Sequence, residues 1–172
     1  MSGKWVGMII IAMACVAGVA MYYLQVYAFY DRFEQDSIRL TALDGETVQE
    51  VAVTNWQGID ADSSPIRYRG CFDTSLSLAS FTGTYTPYEE ATPRNAPGWF
   101  GCFDAAAIAS ALEAGTALAF LGEKNVAFGV DSVIAITDDG RGYVWRDLNN
   151  CGEKAYDGSI IGEECPDRAE FD

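Results

Sequence analysis

Two hydropathy patterns divide the chain. Residues 6–24 read VGMIIIAMACVAGVAMYYL without a charged side chain. At about 1.5 Å of rise per residue, a helix of that length spans roughly the 30 Å hydrocarbon core of a bilayer. Tyr22, Tyr23, Tyr27, Phe29 and Tyr30 cluster at its far end, where amphipathic rings settle between lipid and water, and Gln25 opens the polar exit. Residues 1–30 are therefore expected to form a transmembrane signal-anchor. Cleavage after Ala20, where Gly18 and Ala20 are small, would leave MYYLQVYAFY as an exposed aromatic start. Cys15 follows Ala12, Met13 and Ala14, a weak lipobox, and the apolar run continues past it, so a retained anchor is the better reading. Ala14 and Gly18 also have the small-xxx-small spacing that lets helices approach.

Beyond a polar juncture at 31–36 the pattern shortens to period two. Residues 38–43 and 48–56 alternate as strands bounded by Asp44-Gly45 and Gly58, and 66–72 is a further strand after Pro65, with Arg67 and Arg69 projecting from one face. Residues 82–101 carry Pro87, Pro93 and Pro97 among glycines and predict an irregular loop, the kind of segment that often carries function. Asp104 is placed to cap a helix over 105–114, with Ile108 and Leu112 on its apolar side and Gly115 as its stop. Short strands follow at 117–121 and 126–128. Residues 132–137 and 142–148 then flank Asp138-Asp139-Gly140-Arg141, a hairpin signature. The expected fold class is α+β: an N-terminal transmembrane helix, then a mainly antiparallel sheet domain with one helix over 31–148 and a polar tail over 149–172.

Charge narrows the partners. The 172 residues carry a net charge of −14, and Lys4 is the one charge in the first thirty, so the acidity belongs to the domain. Such a surface repels phosphate backbones, which excludes nucleic acid, and attracts basic proteins or divalent cations. The chain contains no histidine, which removes the usual general base and the commonest metal ligand. Lys4 on one side faces Arg32 and Arg39 on the other, so the basic residues alone leave the orientation open.

Cys71, Cys102, Cys151 and Cys165 lie outside the anchor. None forms a Cys-x-x-Cys pair, so two disulfides are favoured over a metal site, with three connectivities open. Proximity favours Cys71 with Cys102 and Cys151 with Cys165, the second pair closing a short Gly- and Glu-rich loop. Disulfides place the domain in an oxidising space. The expected location is the bacterial inner membrane, with a cytoplasmic N-terminus and a periplasmic domain.

Asp60 and Asp62 could share a cation or act as an acid and base, but two acids before Ser63-Ser64-Pro65 are more economically a solvated turn. Asp138 and Asp139 serve the hairpin. Arg67 and Arg69 could bind an anion, though the abundant carboxylates can occupy them without a ligand. Trp99 and Phe100, in a Pro-Gly context with Trp56 and Phe103 elsewhere, could form an exposed protein contact or pack in the core. No Gly-x-Ser-x-Gly elbow is present and no histidine can activate a serine.

The words YYLQVYAFY, SSPIRYRGCF, APGWFGCFDA and GVDSVIAITDDGRGYVW resemble an uncharacterised family of short single-span proteins from alphaproteobacteria, over roughly residues 4–148. The resemblance implies the topology and a bacterial envelope, and it favours pairing of Cys71 with Cys102, which fall within those words. Some members carry a histidine-kinase label, which a chain with no histidine and no glycine-rich nucleotide motif does not inherit. The combined expectation is a noncatalytic membrane-anchored envelope protein that binds or helps assemble a larger membrane complex, with no cofactor, metal or catalytic residue assigned. A periplasmic ligand- or cation-sensing module is the alternative, and a carboxylate-dependent hydrolase a more distant one.

Overall fold

The computed structural model describes residues 2–171. Helix α1, Gly3–Val26, buries none of its residues and is long and apolar enough to cross a membrane, extending past the expected span at both ends. The chain then lays down β1 (Asp31–Phe33), β2 (Ser37–Thr41), β3 (Val48–Ala52), β4 (Thr54–Asp60), a 3-10 turn (Pro65–Arg67), β5 (Arg69–Asp73), α2 (Leu78–Thr82), α3 (Ala105–Glu113), β6 (Ala117–Leu121), β7 (Val130–Thr137) and β8 (Arg141–Leu148). Six strands form one antiparallel sheet in the order β1-β4-β5-β8-β7-β6, and β2 and β3 form a separate hairpin. The α+β architecture is the one the hydropathy pattern implies.

Both faces of the large sheet are covered, which explains why β7 reads as a nearly unbroken apolar run. Ile134 and Ile136 point to one face, where Ile38, Leu40 and Val51 of the hairpin and Phe81 of α2 close a first core. Val133 and Ala135 point to the other, against Ile108 of α3 with Phe100 and Phe103 before it. α3 forms where expected: Asp104 accepts the N–H groups of Ala106 and Ala107, and Gly115 ends the helix at φ 73°. Gly140 takes φ 85° at the tip between β7 and β8, as the hairpin signature requires. Both disulfides, Cys71–Cys102 and Cys151–Cys165, have the connectivity that proximity favours.

Several expected boundaries move. The run 48–56 is two strands in two sheets, because Val53 donates its N–H to Asp36 and Asn55 turns at φ 54°, redirecting the chain into the large sheet. The juncture 31–36 supplies the edge strand β1. Residues 66–68 belong to the 3-10 turn and its exit, so Pro65 starts a turn and the strand begins only at Arg69. Residues 126–128 make no strand beyond an isolated bridge from Ala127 to Val130. The loop after α2 is irregular as expected, yet it pairs along β6, with Tyr88 N–H to Ala119 at 2.9 Å and Leu121 N–H to Thr86 at 2.8 Å, which covers that edge of the sheet.

Aromatic rings lie directly on glycines. Gly58 and Gly70 are paired across β4 and β5, and a methyl group on either would come within 2.5 to 2.6 Å of the Trp56 ring. Trp56 stacks in turn on Phe72, which covers Gly142. Gly70→Ala is expected to lower unfolding stability of the full-length protein in detergent by about 1–3 kcal/mol, the usual cost of overpacking. Gly98→Ala, with open space around the added carbon, should leave the denaturant midpoint unchanged.

Candidate functional site

The site starts from a single buried cation. Arg69 is 5% exposed, and its guanidinium donates to the carbonyls of Arg94 (2.9 Å), Ile66 (2.8 Å), Tyr68 (2.6 Å) and Asn95 (3.1 Å). Burial pushes its pKa down to about 10, so it stays charged at neutral pH. The two loop carbonyls it holds fix Arg94, whose guanidinium donates to Asp147, with Nε at 2.7 Å. Asp147 is 6% exposed, and its Oδ1 also accepts the Leu148 N–H at 2.8 Å.

Strand register sets Asp131 of β7 directly opposite Asp147 of β8. Asp131 is equally buried, and its Oδ1 accepts from the Asn125 backbone (2.9 Å) and from the Asn149 side chain (2.8 Å). The two acids lie at the floor of a groove of about 630 Å³. Glu89, Glu90, Glu153 and Glu163 also line it, and its one cation, Lys124, is paired with Glu163. Tyr88 shares the wall. Burial pushes its phenol up to about 12, and the surrounding carboxylates, Asp131 first among them, push the same way.

One rim of the groove is the segment closed by Cys151–Cys165. Asn149 Oδ1 accepts the Cys151 N–H at 3.1 Å, and the loop then folds back on itself through Gly152 to Glu163, Ile161 to Glu153 and Ala155 to Ser159. At its tip Gly158 turns at φ 85°, and Asp157 accepts both the N–H and the hydroxyl of Ser159, which lowers its carboxyl below the ordinary range. Tyr156 stands fully exposed there, with Ile160 and Ile161 at 70% and 60% exposure. Large apolar side chains on a covalently stapled loop lose little freedom when they bind.

The residues singled out in the sequence are distributed differently. Phe100 is buried in the second core, and Trp99 is half-buried against α1, its Nε1 donating to the Val26 carbonyl at 2.8 Å and its ring stacked on Tyr27. Arg67 and Arg69 do not project together: Arg69 is enclosed by carbonyls, whereas Arg67 lies over the Tyr30 ring. Asp60 accepts the Ala61 N–H at 2.8 Å and faces Arg146 at 3.6 Å. With Asp62 it borders a shallow hollow shared with Asp31, Phe33 and Tyr68. Asp131, Asp147, Tyr88 and Tyr156 were not singled out. Counting outward from a two-residue Asp139-Gly140 turn would have set Asp131 opposite Leu148; the register, with Ile136 opposite Gly142, is shifted by one residue and brings Asp131 to Asp147.

Residues 38–166 match the model of a family described as Family of unknown function (DUF6446). No curated protein and no solved structure matches the chain. The match begins at β2 and runs through Cys165, so it takes in the stapled tail that the resemblance above, ending at 148, leaves out.

Two measurements check this geometry. A phenol whose folded pKa is raised from 10.0 contributes stability that is intact below pH 10 and lost as the pH rises through about 12. Near-ultraviolet titration of the folded protein should therefore show late phenols, of which Tyr88→Phe removes one while those of Tyr68 and Tyr85, also raised by burial, remain; a curve identical to wild type would contradict the burial of Tyr88. Replacing Cys151 and Cys165 together with serine should make residues 153–163 cleavable by protease while the Cys71–Cys102 domain resists. Equal resistance of the loop would mean that the staple does not hold it.

Proposed function

The chain belongs to that family of unknown function, and we propose that it is a noncatalytic, membrane-anchored envelope protein whose acidic groove and stapled loop dock a basic segment of a partner in a membrane protein complex. The observation that carries this reading is the union of a groove rimmed by carboxylates with a fully exposed Tyr156 on a preorganised loop. Charge supplies attraction and orientation, and the aromatic and isoleucine side chains supply buried area on contact. In this reading α1 spans the bacterial inner membrane with its N-terminus in the cytoplasm, and the domain lies in the periplasm, an oxidising space in which both disulfides persist.

Sensing of a cation is supported less well. Asp147 is already matched by Arg94 and Asp131 by amide donors, which suits a fixed groove floor better than open ligands.

The test is recovery of partners with tagged full-length protein from native membranes in mild detergent. Wild type should retain a defined membrane protein, and retention should fall as ionic strength rises. Tyr156→Ala combined with Glu89→Gln and Glu90→Gln should lower it roughly tenfold or more, with both disulfides still formed. Undiminished recovery by this variant would refute the surface, and recovery of wild type alone would refute a stable complex.

A further inference from the structure

Where α1 meets the domain, two cations lack carboxylate partners. The side chains of Arg32 and Arg67 make no salt bridge and no hydrogen bond among the described residues, whereas Arg39, Arg94, Lys124, Arg141 and Arg146 each face an acid. Four of the eight arginines face an acid; of the others, Arg69 is held by main-chain carbonyls, and Arg168 lies over Phe128 far along the chain, in the tail. Both rest on aromatic rings: Arg32 lies 5.4 Å over Trp99, Arg67 lies 5.4 Å over Tyr30, and the two rings meet edge to face at 5.9 Å. One nitrogen of Arg67 is shielded from solvent and bonded to nothing among the described residues.

Sheet geometry explains why no acid reaches them. Arg32 is paired with Ile59, whose side chain belongs to the core on the α3 face, together with Tyr30 and Trp99. Its neighbour Asp31 is paired with Asp60, and alternation sends both acids to the other face, where they border a hollow with Phe33 and Tyr68. The strand therefore sorts charge by side. Height is fixed as well, because the Trp99 indole donates to the Val26 carbonyl in the last turn of α1, which sets the arginines at the level where an apolar helix leaves the hydrocarbon.

We propose that Arg32 and Arg67, on the Tyr30–Trp99 platform, bind the phosphodiester of an anionic phospholipid in the leaflet at the C-terminal end of α1. The proposal rests on α1 spanning the bilayer. A guanidinium presents paired donors to phosphate oxygens, and stacking on a ring holds it in place without neutralising it. The bilayer supplies such groups at this height, whereas soluble anions have no reason to concentrate there. The platform would also explain what the exposed aromatic residues of this junction do beyond anchoring.

The experiment uses the full-length protein in a neutral detergent, titrated with phosphatidylglycerol, with phosphatidylcholine and with inorganic phosphate, bound lipid being counted by native mass spectrometry. Wild type is expected to favour phosphatidylglycerol over phosphatidylcholine. Arg32→Gln with Arg67→Gln should reduce that preference about tenfold or more, while replacing both with lysine should keep part of it. Equal binding of the two lipids by wild type, or an unchanged preference in the glutamine variant, would overturn the site. Displacement of the bound phosphatidylglycerol by inorganic phosphate at equal concentration would overturn the bilayer as its source. Carbonate washing of membranes reads the anchor separately: release of wild type would remove the span on which the proposal rests.

Discussion

A cation sealed among main-chain carbonyls organises this domain. Arg69 is nearly closed off from water, and its guanidinium spreads its charge over four main-chain acceptors in place of solvent. The guanidinium therefore ties the first residues of β5 to the middle of the long irregular loop, which has no regular secondary structure of its own. Three other attachments follow from that tie. Arg94 is delivered to Asp147 on β8, Trp99 is delivered to the end of α1, and Cys102 is delivered to Cys71 on the same strand as Arg69. A segment that sequence marks only by prolines and glycines thus becomes the brace between groove, sheet and anchor.

Much of the frame was legible because it rests on local rules. The apolar run of α1, the Asp104 cap, the Gly140 turn and the pairing of near cysteines each depend on a few neighbouring residues. What escaped depends on contacts distant in sequence. Nothing in the run 48–56 announces that Val53 will leave one sheet for another, since the signal is its bond to Asp36 and the conformation of Asn55. Arg67 and Arg69 share parity, which suggested a common face. The 3-10 turn ahead of β5 breaks that parity, and one becomes a buried brace while the other lies at the surface of an aromatic ring. The tail looked like polar filler because its exposed Tyr156, Ile160 and Ile161 acquire meaning only once the disulfide folds them into a projecting loop.

Charge is sorted locally. The groove gathers six carboxylates around a lysine that one of them already occupies, while the junction with α1 keeps two arginines free of acids. An overall charge of −14 conceals this separation. Each site has its own stiffening, a disulfide and an amide network around the groove and stacked rings under the arginines.

The bond between Trp99 and the Val26 carbonyl, reinforced by stacking on Tyr27, ties the last turn of the apolar helix to the loop ahead of α3. At about 1.5 Å per residue the 24-residue α1 is somewhat longer than a hydrocarbon core of roughly 30 Å. A helix that spans with length to spare tilts, and it tilts more where the bilayer is thin. In the reading in which α1 spans the bilayer, such a tilt is passed through the bond at Val26 to the loop that carries Trp99 and Arg94, and so to the groove.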